Sequence, residues 1–149
     1  MQTDPKLVGL VAMDLGQLCG RAAFAALYKA NQAYSQAIEV EMAQLVQRSK
    51  VDGVALILRL ERRAAGTLFL RWSIRHRASR WEEMDEELGA LTAPLQRHYA
   101  ALHRRAGELN ALAVIVQQAM RWARSQAQPR EHGRRQGQKE QTVQKGSRQ

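Results

Sequence analysis

Seven arginines fall between residues 59 and 80: Arg59, Arg62, Arg63, Arg71, Arg75, Arg77 and Arg80, against Glu61 alone and with no lysine, a local charge of +6. Arginine is the side chain best suited to phosphate, because its planar fork donates two hydrogen bonds to one anion and its flat face stacks on bases. Phe69 and Arg71 are two residues apart and fall on one face of an extended strand. Trp81 follows Arg80 directly, so ring surface accompanies the charge. A second basic stretch, Arg130, Arg134, Arg135, Lys139, Lys145 and Arg148 against Glu131 and Glu140, adds +4. The net charge of the whole chain is +9, which leaves −1 for everything else. Positive charge is therefore concentrated, and a polyanion is the partner that such concentration attracts.

Catalytic groupings are thin by comparison. His76, His98, His103 and His132 have no metal-ligand spacing and no cysteine cluster to join. Cys19 is the only cysteine, so no intrachain disulfide forms, and nothing beside it in sequence activates a thiolate. Glu82, Glu83, Asp85, Glu86 and Glu87 crowd what reads as the start of a helix, where the helix dipole accounts for them without acid–base chemistry. No glycine-rich phosphate loop is present. The expectation is a protein that is not an enzyme and needs no cofactor or metal.

The elements that must hold the arginines follow from periodicity. Alternation of Val54, Leu56, Leu58 and Leu60, and again of Leu68, Leu70, Trp72 and Ile74, predicts two strands joined as an antiparallel hairpin over 54–74. A lone hairpin is marginal in water, so its apolar face must lie against helices or a partner. Residues 5–48 read as helix, Pro5 following Asp4. A slip between the stripe of Val8, Val11, Leu15, Leu18, Ala22 and Ala25 and that of Leu27, Tyr34, Ile38, Met42 and Leu45 predicts a bend. It falls near 29–31, with Gly16 and Gly20 as the alternatives. Ser79 and Glu82 have capping-box spacing and predict a helix start at Ser79. From Thr92 a long helix carries Leu95, Tyr99, Leu102, Ala106, Leu109, Ala113, Val116 and Met120 in alternating steps of four and three. That seam serves either the chain's own core, the preferred reading, or a dimer or protein partner through Leu95, Tyr99, Leu102, Leu109, Val116 and Met120. The fold class expected is mainly α with a small β element (α+β), one domain over 1–125 and a disordered basic tail over 126–149.

No stretch approaches the roughly 18 uncharged apolar residues of a membrane span, and a lone cysteine suits a reducing setting, so a cytoplasmic, non-membrane protein is expected. The segment Gly66-Thr67-Leu68-Phe69-Leu70-Arg71-Trp72, with Arg80-Trp81 and Glu108-Leu109-Asn110-Ala111, resembles small uncharacterised proteins carried by bacterial plasmids and integrative conjugative elements. The resemblance covers roughly the second half of the chain. It implies a bacterial mobile-element setting, conjugation included, in which nucleic-acid accessory roles are common. The leading expectation is a basic protein that binds DNA or RNA through the hairpin arginines and the tail. The alternative is a helical protein, an inhibitor or a small ribonucleoprotein subunit, that acts through protein contacts.

Overall fold

In the computed structural model, residues 20–128 are described. The expected first helical stretch before Gly20, Cys19, and the basic tail from residue 129 onward lie outside them. Helix α1 (Arg21–Ser49) leads to strands β1 (Leu56–Arg62), β2 (Leu68–Ile74) and β3 (Arg77–Ala78), then a 3-10 turn (Trp81–Glu83), a short helix α2 (Asp85–Gly89) and the long helix α3 (Ala93–Ala127). The described chain is mostly helical with a small antiparallel sheet, which is the α+β class expected from the sequence.

Helix α1 begins directly after Gly20, whose φ of +87° is a conformation that glycine adopts without a Cβ penalty. Over 29–31 it runs on unbroken, contrary to the bend expected there. Asn31 explains the apparent slip: this polar residue is buried on the core stripe and satisfies its amide by donating to the Leu27 carbonyl at 2.9 Å. Ala22 and Ala25, assigned to the first stripe, are exposed, while Ala23 is buried in their place.

Helices α1 and α3 pack antiparallel. Arg105 donates to Glu41 and Glu108 part-way along, His98 Nε2 meets the Arg48 carbonyl at 3.0 Å near one end, and Phe24 meets Trp122 edge-on at the other. The sheet lies across this helical pair as a meander in the order β1-β2-β3. Leu56, Leu58, Leu70 and Trp72 point inward onto Met42, Leu45, Tyr99, Leu102, Ala106, Leu109 and Ala113. The α3 seam is therefore intramolecular. Tyr99, Leu102, Leu109 and Val116 are buried within the chain and Leu95 and Met120 half-buried, which corrects their assignment to a partner surface. A helix pair and a sheet with one apolar face each bury that face on the other, and the middle of this stripe, from Tyr99 to Val116, is used within the chain.

Both exposed edges of the hairpin are tied to helices. On the β1 edge, the Leu58 N–H donates to Ser49 Oγ at 2.9 Å and the Tyr99 hydroxyl donates to the Ser49 and Leu56 carbonyls. On the β2 edge, β3 pairs only with Ser73 and Ile74, and Asn110 takes over beyond it. Its Oδ1 accepts from the Leu70 N–H at 2.8 Å and its Nδ2 donates to the Leu70 carbonyl at 3.0 Å. Side chains thus stand in for missing strands, which blunts the edges against pairing with another chain.

The helix expected from Ser79 is instead the 3-10 turn followed by the five-residue α2. The reciprocal cap is displaced by one residue, with the Arg80 N–H donating to Glu83 Oε2 at 3.1 Å. Ser79 is drawn back to the sheet, its N–H donating to the Trp72 carbonyl, so it does not serve as a cap. Within α3, Gly107 is exposed, and a Cβ there meets nothing within 4 Å. Gly107→Ala should raise stability by about 0.5–1 kcal/mol, read as a higher denaturant midpoint at unchanged slope.

Candidate functional site

Strand alternation turns Ile57, Arg59 and Glu61 of β1 and Phe69, Arg71 and Ser73 of β2 to the sheet face away from the helices. In register, Arg59 sits directly opposite Arg71 and Glu61 opposite Phe69. Like charges placed across a strand pair repel, and the sheet holds this pair without placing an acid between them. Arg71 Nη1 lies 3.6 Å from Glu61 Oε2, and Arg59 Nη2 donates to His76 Nδ1 at 2.6 Å. Arg63 lies with its guanidinium carbon 3.7 Å from the centre of the Phe69 ring. Ser73 Oγ, buried on this side of β2, is without a hydrogen-bond partner.

Two turns position the remaining arginines. Ala64, Ala65 and Gly66 close the first, with Gly66 at φ +84° and Arg63 and Thr67 bonded across it, the three-residue hairpin form in which glycine supplies the left-handed residue. Arg62 folds back into this turn, donating to the Gly66 carbonyl at 2.7 Å. The second turn joins β2 to β3 through Arg75 and His76, both with positive φ (43° and 73°). Two-residue turns of this hand favour asparagine and glycine, and other residues cost roughly 1–2 kcal/mol each there. Strain of that kind collects at sites of function, and here it holds a basic pair at the end of the sheet.

The sequence-predicted arginines therefore do not form one uniform patch. Arg59, Arg63 and Arg71 share the outer face, Arg62 closes its own turn, Arg75 sits in the β2–β3 turn, Arg77 lies opposite Ile74 on the other side of the sheet, and Arg80 follows β3; the last three are exposed. Among the described residues no ion pair joins any of them to Glu82, Glu83, Asp85, Glu86 or Glu87, and Glu61 is their one acidic partner. Sequence reasoning missed His76, the acceptor for Arg59. Nothing in the sequence marked it, since its turn conformation is set by the pairing of β2 with β3. No group of three or more His, Cys, Asp or Glu able to hold a metal occurs among the described residues, and no helix among them is long and apolar enough to cross a membrane.

Behind the sheet lies an aromatic cluster. The Trp72 indole N–H donates to His103 Nδ1 at 3.2 Å, Trp81 stacks on the same imidazole at 4.2 Å, and Trp72 also packs on Trp81 and Tyr99. Because tryptophan only donates, the neutral ring carries its proton on Nε2. Burial holds the His103 pKa below its ordinary value of 6.5, against a weaker upward pull from Glu82, and burial likewise raises that of Tyr99. The unfolded chain then takes up the His103 proton first as pH falls. This contribution to stability is full above the ordinary imidazole range and declines from there down to the lowered folded value. Denaturant midpoints at about pH 7.5 and about pH 5.5 should show a larger loss for the parent than for His103→Gln. Equal losses would remove His103 as the cause.

No protein-family model, curated protein or solved structure matches the chain.

Proposed function

We propose that this chain is a small basic nucleic-acid-binding accessory protein of a bacterial mobile element, not an enzyme, that grips phosphates through the arginines of its sheet and turns. One observation carries the reading. Seven arginines on one small sheet and its turns have a single carboxylate paired with them, although five acidic residues follow immediately in the chain. Leaving that charge unneutralised costs stability through repulsion, and phosphate oxygens are the ligand that relieves it. The plasmid and conjugative-element setting, and a cytoplasmic location, rest on the sequence resemblance and on cysteine use.

The test is a titration of labelled duplex and single-stranded oligonucleotides at several salt concentrations, with Arg62, Arg63, Arg75 and Arg77 changed together to alanine. Binding should weaken, and the slope of log K against log salt should flatten by about 0.7–0.9 for each phosphate that is no longer neutralised. Unchanged binding by the folded variant moves the grip to Arg59 and Arg71 or to the basic tail, and no binding by the parent at low salt overturns the reading.

A second reading, partner binding, draws on a different observation. Val40, Ile115 and Trp122 are 59%, 60% and 54% exposed. Ile115 and Trp122 are seven apart on one stripe of α3, and Ile115 is nearly opposite Ala113 and Gln117, which line the junction with the sheet. Concentration-dependent association in light scattering, abolished by Ile115→Glu, would favour it. The tied-down strand edges argue against partner recognition by strand addition.

A further inference from the structure

Resting on the phosphate reading above, we propose that the ligand of the outer sheet face is single-stranded nucleic acid, laid along β2 and held by base stacking on the Arg63–Phe69 pair. A two-stranded ribbon reads duplex DNA by laying one face in the major groove, about 12 Å wide, where paired bases present their edges and not their rings. This ribbon offers a single face, and that face carries a ring and a guanidinium plate. Its inner face is sealed by Leu56, Leu58, Leu70 and Trp72 against the helices, and its edges are held by Ser49, Tyr99 and Asn110. Arg121 of α3 donates to the Ala65 carbonyl at the tip, 3.4 Å away. What remains is a plane whose outer face is open at Arg71 and partly open at Phe69, with Ser73 covered beyond them.

That plane has the parts that an unpaired strand uses. Phe69 provides a ring, and the Arg63 guanidinium over it provides a cationic plate whose far side is exposed, so a base stacks on the plate as the next layer. Two residues along β2, Arg71 and its opposite Arg59 stand where the backbone passes. Arg75 follows in the turn at the strand end, about 20 Å from the stack at roughly 3.4 Å per residue, whereas Arg77, opposite Ile74, lies on the other side of the sheet. A stack at one end and guanidinium groups beyond it make a track for one strand. A duplex keeps its bases paired and offers none to the plate.

The experiment measures the full chain against oligo-dT, oligo-U and a duplex, each about 12 nucleotides long, by fluorescence anisotropy across a series of salt concentrations. Single strands should bind at least about tenfold tighter than the duplex. Phe69→Leu, which keeps the apolar contact and removes the ring, should weaken single-strand binding by about 5- to 100-fold without changing the salt slope. Arg71→Gln should lower that slope by about one. Equal or tighter duplex binding, or an unaltered affinity in Phe69→Leu, overturns the stacking proposal while leaving phosphate binding intact. Failure of every oligonucleotide to bind at low salt overturns the parent reading instead. Preference between oligo-dT and oligo-U assigns DNA or RNA.

Discussion

Replacing Asn110 by alanine should lower the free energy of unfolding by about 2–4 kcal/mol, a large effect for one partly buried polar residue. Asn110 has no neighbouring strand to assist it. Its amide is the partner of both the N–H and the carbonyl of Leu70, at 2.8 and 3.0 Å, and Leu70 is itself buried in the core. Alanine orphans both backbone groups together, at about 1–3 kcal/mol for each group left unpaired. Asn110→Asp makes the better control. It retains an acceptor for the Leu70 N–H but sets a second acceptor against the Leu70 carbonyl, so it should recover less than half of the loss. Denaturant unfolding followed by circular dichroism reads both. A loss below about 0.5 kcal/mol in the alanine variant would show that β2 does not depend on this clamp.

The second large effect is expected at Trp72. Truncation to alanine removes a side chain packed on Trp81 and Tyr99 and hydrogen-bonded to His103, and large aromatic deletions in a core cost about 3–5 kcal/mol. Against a typical total of about 5–15 kcal/mol, that leaves a marginal fold. Trp72→Phe separates packing from polarity. It keeps a ring in place and removes the donor to His103, with an expected cost of about 0.5–1.5 kcal/mol from the hydrogen bond on top of the smaller packing loss. The acid sensitivity assigned to His103 should persist in that variant, because the burial that lowers its pKa is largely kept by the phenylalanine ring. Its disappearance would place the origin in the bond to Trp72 instead of in burial.

These two positions mark how far the sequence could be read. Trp72 was legible, since it falls on the apolar side of an alternating run. The α3 seam was legible too, from Tyr99 to Val116, because a four-and-three repeat has one geometric solution. Its partner was not, as the same repeat suits a second copy or a sheet of the same chain. Asn110 was invisible as a clamp. An asparagine among alanine and leucine on a helix says nothing of a strand forty residues earlier, and only the packing of α3 along β2 brings the amide to Leu70. Ser49 and Tyr99 are alike in this respect. The cap at Ser79 failed for the opposite reason: the local signal was present, but pairing with Trp72 drew the serine into the sheet.

For the candidate site, residue types and strand parity alone determined that arginine predominates between residues 59 and 80, and that Phe69 and Arg71 share a face. Tertiary structure decided which arginines stand together. Arg59, Arg63 and Arg71 meet because strand register and a three-residue turn align them, whereas Arg62 is turned back on its own loop. It also decided that the acidic residues after Arg80 form no ion pair with them, since the 3-10 turn carries that segment behind the sheet to stack Trp81 on His103. Charge is written residue by residue, but neutralisation depends on distance, and distance between elements is set only when the helices and the sheet bury their apolar faces on one another.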